Sequence, residues 1–108
     1  VGKEMPGELV IEKQCFDGFL MQELDPHLQH FDKRFLLTAG LVTSICVLTT
    51  TLSAMQRGYL TAIIEDCCAD EMAAHDHTLD RYGFMFERTR VALLLEQHQR
   101  WQQMIDQL

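Results

Sequence analysis

Short apolar runs alternate along the chain with polar segments of helical periodicity. The runs predict four strands, at 9–13, 34–39, 59–65 and 84–89. The intervening patterns predict helices at 26–31, 43–57 and 70–82, and a final helix with Leu94, Trp101, Ile105 and Leu108 on one face. Because strand and helix alternate, we expect an α/β fold with a parallel sheet, helices on its faces, and a site beyond the carboxyl ends of the strands.

Cap and turn residues indicate where these helices begin and end. Asp25 suits an N-cap and Pro26 the first helical position. Gly58 supplies a left-handed residue after the second helix. Asp70 is expected to cap the third helix, which Gly83 closes. The first strand then ends at Lys13, and the second strand leads through a turn at Gly40 into the second helix.

Composition narrows the classes of function. A chain of 108 residues suits one small domain, and its net charge of −7 argues against nucleic acid or an anionic membrane as a partner. No apolar stretch has membrane-spanning length, and we expect no signal peptide. The four cysteines are too few for a secreted disulfide framework, so free thiols in the cytoplasm are expected. Of these, Cys15, Cys67 and Cys68 are interpreted as structural.

Cys46 is the strongest candidate for chemistry. A buried strand, a turn at Gly40 and a helix that starts near Thr43 would place its thiol in the first turn of a helix, at the carboxyl end of a strand. The partial positive charge and free N–H groups of a helix start favour a thiolate and can also hold an oxyanion. The alternative is a small buried residue that packs the helix against the sheet.

Three segments together resemble the isochorismatase-like cysteine hydrolases, which include nicotinamidases and carbamoyl-type amidohydrolases. Lys13–Phe19 is similar to the lysine segment of that family, and Gly40–Val47 to its nucleophile segment. Asp66–Asp70, with His75 downstream, resembles the strand-end aspartate and the helix that follows. The resemblance implies a three-layer αβα, Rossmann-like fold.

The resemblance also implies the chemistry. Cys46 would attack an amide-type C–N bond of a small molecule, with Lys13 as its cationic partner. The backbone N–H groups of Val42 and Cys46 would form the oxyanion hole, with a cis peptide at Leu41–Val42. Phe19 and Leu41 would contact the substrate. The alternatives are a solvated strand end for Lys13 and simple packing for Phe19.

No metal or cofactor is expected. The sequence His75-Asp76-His77 suggests a metal site, but on a helix the two imidazoles point about 200° apart and cannot readily share one ion. We therefore expect His75 to be a capping or packing residue.

One feature of the family has no counterpart. Its catalytic aspartate ends a strand before the lysine segment, and here nothing upstream of Lys13 fits that position. We therefore interpret residues 1–108 as the carboxyl-terminal part of the domain, without its amino-terminal strands. The sheet edge left open predicts a homo-oligomer or pairing with the missing amino-terminal segment. Whether the chain is an enzyme stays open, and the alternative is an inactive module for oligomerisation or protein interaction.

Overall fold

A computed structural model describes residue 3, residues 5–20 and residues 23–108. The elements, in chain order, are a 3₁₀ turn at Gly18–Leu20, α1 (Leu24–His30), β1 (Phe35–Leu41), a π turn at Thr43–Val47, α2 (Leu48–Gln56), β2 (Leu60–Ala69), α3 (Met72–Tyr82), β3 (Glu87–Thr89), a 3₁₀ turn at Val91–Leu93 and α4 (Leu94–Asp106).

The three strands form a parallel sheet in the order β1-β2-β3. The predicted α/β class with helices between parallel strands is therefore confirmed. The β1–β2 register runs evenly from Phe35 opposite Leu60 to Thr38 opposite Ile63, and then shifts so that Gly40 lies opposite Cys68. Near the carboxyl end of β1, the step of two residues from Thr38 to Gly40 therefore corresponds to a step of five residues in β2, from Ile63 to Cys68. The extra residues of β2 interrupt the even pairing of the two strands at this point.

The strand predicted at 9–13 is wrong. These residues have no regular secondary structure, and Leu9 and Val10 are exposed. A strand is stable only where a neighbour accepts its backbone hydrogen bonds, and the described residues offer this segment no partner strand. Lys13 therefore lies in an irregular segment and not at the end of a strand.

Several predicted boundaries are also corrected. The first helix begins at Leu24 after Glu23, with Asp25 in its first turn, and Glu71, not Asp70, precedes α3. The last strand is short because only Glu87–Thr89 pairs with β2. Leu108 lies beyond α4 and is exposed, whereas Trp101 is buried. Gly58 has φ +91°, the left-handed conformation expected of it.

Two apolar clusters hold these elements together. One cluster joins the π turn, β2 and α3 to the segment before β3, through Val47, Ile63, Leu79 and Phe86. Cys68 packs against this cluster, as expected of a structural cysteine, and burial raises the pKa of its thiol. Cys67 is exposed, so its predicted packing role is not supported. Because Val47, just before α2, packs in this cluster with Ile63 of β2, the start of α2 is fixed against the sheet.

Within the described ranges, no helix has the length and apolar character needed to cross a membrane.

Candidate active site

Cys46 is the fourth residue of the π turn Thr43–Val47, which follows β1 after the single residue Val42. The predicted strand–turn–helix arrangement around the cysteine is therefore present. Cys46 as a residue is half-buried and forms no disulfide. A cysteine in the first turn of a helix lies close to the positive end of the helix dipole.

The backbone before the turn has two unusual features. Gly40 has φ +131°, and the Leu41–Val42 peptide is cis, as the resemblance implies. A Cβ on Gly40 would meet no atom within 4 Å, so conformation and not space favours glycine there. Leu41 is 69% exposed, so its side chain is open to a ligand at the carboxyl end of β1.

The hydrogen bonds of the π turn change the environment of the Cys46 amide. In an α-helix, the Cys46 N–H would bond to the carbonyl of Val42. Here that carbonyl accepts from the N–H of Val47 at 3.2 Å and of Ile45 at 3.3 Å. In the π turn, the Val42 carbonyl is therefore bonded to the residues on either side of Cys46 and not to Cys46 itself. Single π turns of this kind are frequent at functional sites.

The end of β2 supplies a carboxylate to the same turn. Asp70 accepts hydrogen bonds from the hydroxyl of Ser44 at 2.5 Å and from its backbone N–H at 2.8 Å. These two bonds hold the pKa of Asp70 below its usual range. The other oxygen of Asp70 accepts from the N–H of Glu71 at 2.7 Å. The carboxylate thus joins the start of α3 to the first turn around Cys46.

A second contact joins α3 to the turn. The hydroxyl of Thr43, which is fully buried, lies 2.6 Å from Nδ1 of His75. His75 is therefore a packing residue, as predicted, while His77 is exposed. Among the residues that the structure describes, no three His, Cys, Asp or Glu side chains are grouped closely enough to hold a metal ion.

Lys13 is exposed and its ammonium bonds to its own segment. Nζ donates to the carbonyl of Cys15 at 2.9 Å and to that of Phe16 at 3.4 Å. No hydrogen bond joins it to the Cys46 thiol in the described part of the chain. The same segment contacts the Cys46 helix through Thr50, whose hydroxyl accepts from the N–H of Gly18 at 3.0 Å. The segment that contains Lys13 and the helix that carries Cys46 are therefore in direct contact.

Phe19 is 5% exposed and packs in the second apolar cluster with Ala54 and Tyr59. The guanidinium of Arg57 lies 5.0 Å from the centroid of the Phe19 ring. Tyr59 donates to Asp25 at 2.5 Å, and burial, together with this carboxylate, raises the pKa of Tyr59 to about 12. Phe19 thus anchors the lysine segment, and its contact with a substrate stays a prediction.

Sequence reasoning missed the roles of Ser44 and Asp70. The position of Asp70 before α3 fits an ordinary local cap, so the sequence predicts a bond to the start of α3 and not the two bonds to Ser44. A usable signal was Val42, which has no side-chain acceptor although it precedes the first turn. Such a helix start needs an acceptor from elsewhere in the chain.

The sequence model of the isochorismatase domain matches residues 2–91. The chain belongs to the isochorismatase family.

Three comparisons illustrate the likeness. The isochorismatase family protein YddQ of Bacillus subtilis is 29% identical over 85 residues, which cover 72% of this chain and 46% of YddQ. The ureidoacrylate amidohydrolase RutB of Variovorax paradoxus is 33% identical over 64 residues, 59% of this chain and 25% of RutB. The crystal structure of an isochorismatase-like hydrolase from Alkaliphilus metalliredigens superposes with a TM-score of 0.83 at 20% identity, covering 87% of this chain and 52% of that one.

The chain therefore spans between about a quarter and about half of the length of these proteins. The structural likeness supports the fold.

Proposed function

We propose that this chain provides the nucleophile of a hydrolase that cleaves an amide-type C–N bond of a small molecule. Cys46 attacks the carbonyl carbon, the amine leaves with a proton, and the resulting thioester is hydrolysed by water to release the acid and restore the thiol. Family membership and the likeness to an amidohydrolase support this class of reaction.

The π turn is the observation that carries the proposal. Because the Val42 carbonyl bonds to the N–H groups of Ile45 and Val47 and not to that of Cys46, we assign the Cys46 amide as a donor to the developing oxyanion. The N–H of Val42, which belongs to the cis peptide unit, is assigned as the second donor. Leu41, at the open end of β1, and Phe19 are the proposed substrate contacts, and Lys13 stabilises the thiolate.

The proton transfers need a carboxylate that takes the thiol proton and returns it to the leaving amine. We assign this group to the part of the family domain that this chain does not span. That part would pair with β1, which among the described strands pairs on one side only. The four unpaired cysteines favour the reducing cytoplasm as the location.

Alkylation by iodoacetamide tests the proposal, with peptide-level mass spectrometry to separate the four cysteines. We expect Cys46 to react below about pH 8, where an ordinary thiol is mostly protonated. The exposed Cys67 is an internal reference, and Cys46→Ser should abolish the fast phase while Cys67→Ser leaves it. Equal pH dependence of Cys46 and Cys67 would contradict the proposal.

A second candidate function is an inactive module for oligomerisation or protein interaction. The open edge of β1 favours it, because Leu37 is 44% exposed beside unpaired backbone groups. Sedimentation over a range of concentrations, combined with the alkylation assay, separates the two functions. Association of a chain whose Cys46 reacts as an ordinary thiol would favour the module.

A further inference from the structure

The hydroxyl of Thr50 lies between the nucleophile helix and the lysine segment. It accepts a hydrogen bond from the N–H of Gly18 at 3.0 Å and donates one to the carbonyl of Phe16 at 3.4 Å. A hydroxyl can do both at once because it has one donor and two acceptor lone pairs. One side chain therefore fixes two backbone groups of the opposite segment.

The Lys13 ammonium shares this connection. Its Nζ also donates to the carbonyl of Phe16, at 3.4 Å, so Lys13 and Thr50 bond to the same oxygen atom. The carbonyl of Cys15 also accepts a hydrogen bond from the ammonium, at 2.9 Å. The position of the ammonium thus depends on where Thr50 holds this turn of the backbone.

Thr50 also has a defined relation to the nucleophile. It follows Cys46 by four residues, so the two side chains lie one above the other on the same helix face. The segment that Thr50 fixes is therefore placed along the face from which the thiol projects.

The two neighbouring threonines have different contacts. Thr51 is fully buried and bonds to Val47 at 2.8 Å and to Thr38 at 2.7 Å, within its own helix and to β1. Thr49 is half-buried, and its hydroxyl forms no hydrogen bond with any described residue. Within this run, only Thr50 reaches the lysine segment, and Thr49 provides a matched control.

We infer that Thr50 is a positioning residue, which holds the Lys13 ammonium against the helix face that carries Cys46. The inference rests on the proposed function, in which Lys13 stabilises the Cys46 thiolate. It assigns to Thr50 no contact with substrate, and it predicts a thermodynamic coupling between Lys13 and Cys46 that depends on the hydroxyl of Thr50.

The first measurement is hydrogen exchange of the Gly18 amide in the 108-residue chain. Thr50→Val keeps the shape of the side chain and removes the hydroxyl, so Gly18 should exchange about fivefold faster. Thr50→Ser should restore the wild-type rate, and Thr49→Val should leave it unchanged. An unchanged Gly18 rate in Thr50→Val would overturn the inference.

The second measurement is the rate of Cys46 alkylation at neutral pH. Lys13→Met should slow it about threefold in the wild-type background, because a nearby cation favours the thiolate. In the Thr50→Val background, Lys13→Met should have little effect, whereas in Thr49→Val it should keep its full effect. An equal effect of Lys13→Met in all three backgrounds, or none in the wild type, would overturn the inference.

The proposed function and this inference fail differently. If wild-type Cys46 reacts like Cys67, the hydrolase proposal fails, and the exchange of the Gly18 amide then decides whether Thr50 fixes the segment. If Cys46 is reactive but independent of Thr50, only the positioning role fails. A thermal melt of each variant identifies any that does not fold, and Thr50→Ala, which also removes the hydroxyl, then replaces Thr50→Val with the same expected effects.

Discussion

Asp70 accepts two hydrogen bonds from Ser44, one from the hydroxyl at 2.5 Å and one from the backbone N–H at 2.8 Å, although 26 residues separate them. Val42, which precedes the turn, has no side chain that could accept either bond. The start of the helix that carries Cys46 is thus capped by the residue after a neighbouring strand and not by its own sequence.

This contact predicts a pH dependence of stability. The bonds from Ser44 hold the pKa of Asp70 below that of an aspartate in the unfolded chain. Its ionised form therefore stabilises the fold above about pH 4, and that contribution is lost as the pH falls through the lowered pKa. Asp70→Asn should reduce the loss of stability between neutral and acidic pH, measured as the shift of the urea midpoint.

Asp76→Asn is the matched control, because Asp76 is exposed on α3 and bonds to no described side chain. It should keep the wild-type dependence on pH. An Asp70→Asn variant with the same acid sensitivity as wild type would show that the Ser44 contact does not set it.

The Thr43–His75 contact should contribute about 1 kcal/mol to the free energy of unfolding. Thr43→Val keeps the buried shape but removes the hydroxyl that lies 2.6 Å from His75. His75→Ala removes the other partner. Urea denaturation of the two single variants and the double variant should give a coupling of about 1 kcal/mol, whereas additive effects would contradict the hydrogen bond. His77→Ala, an exposed site on the same helix, should be neutral.

Trp101 joins α4 to the edge strand, since its ring stacks on Phe35 with centroids 4.5 Å apart and it is 4% exposed. Its indole N–H is buried without a hydrogen-bond partner in the described residues. Trp101→Phe should therefore change the free energy of unfolding by less than about 1 kcal/mol, because lost contacts are offset by removal of this N–H. Trp101→Ala should cost about 3 kcal/mol. Circular dichroism during urea denaturation measures both, and equal costs would contradict this account.

Gly40→Ala should destabilise the chain by about 1 kcal/mol or more, because φ +131° is strained for a residue with a Cβ. Gly58→Ala, at φ +91° after α2, should cost a similar amount. Only Gly40→Ala should also change the alkylation rate of Cys46, since Gly40 lies in the strand that leads into the turn. A changed Cys46 rate in Gly58→Ala would indicate a general loosening instead.

Local sequence signals predict the helix start around Cys46 correctly, but they fail for the strand at 9–13, whose formation depends on pairing with another strand. Gly40, the apolar strand before it and the threonines after it are enough to predict a helix that starts near Thr43 with Cys46 in its first turn, because conformational preference and hydrophobic pattern act over a few residues. The strand at 9–13 had the same apolar signal and did not form. Its pattern describes a surface that fits a sheet, but pairing depends on a neighbour that the segment does not specify.

The sequence by itself determined the α/β class, the position of Cys46 after a strand and the left-handed glycine that ends α2, since each follows from local chain geometry. Only the tertiary structure decided that Asp70 caps the Cys46 turn, that His75 bonds to Thr43 and that Thr50 holds the lysine segment. These partners lie between 26 and 34 residues apart in the chain. The register of the sheet brings them together, and a local pattern carries no information about that register.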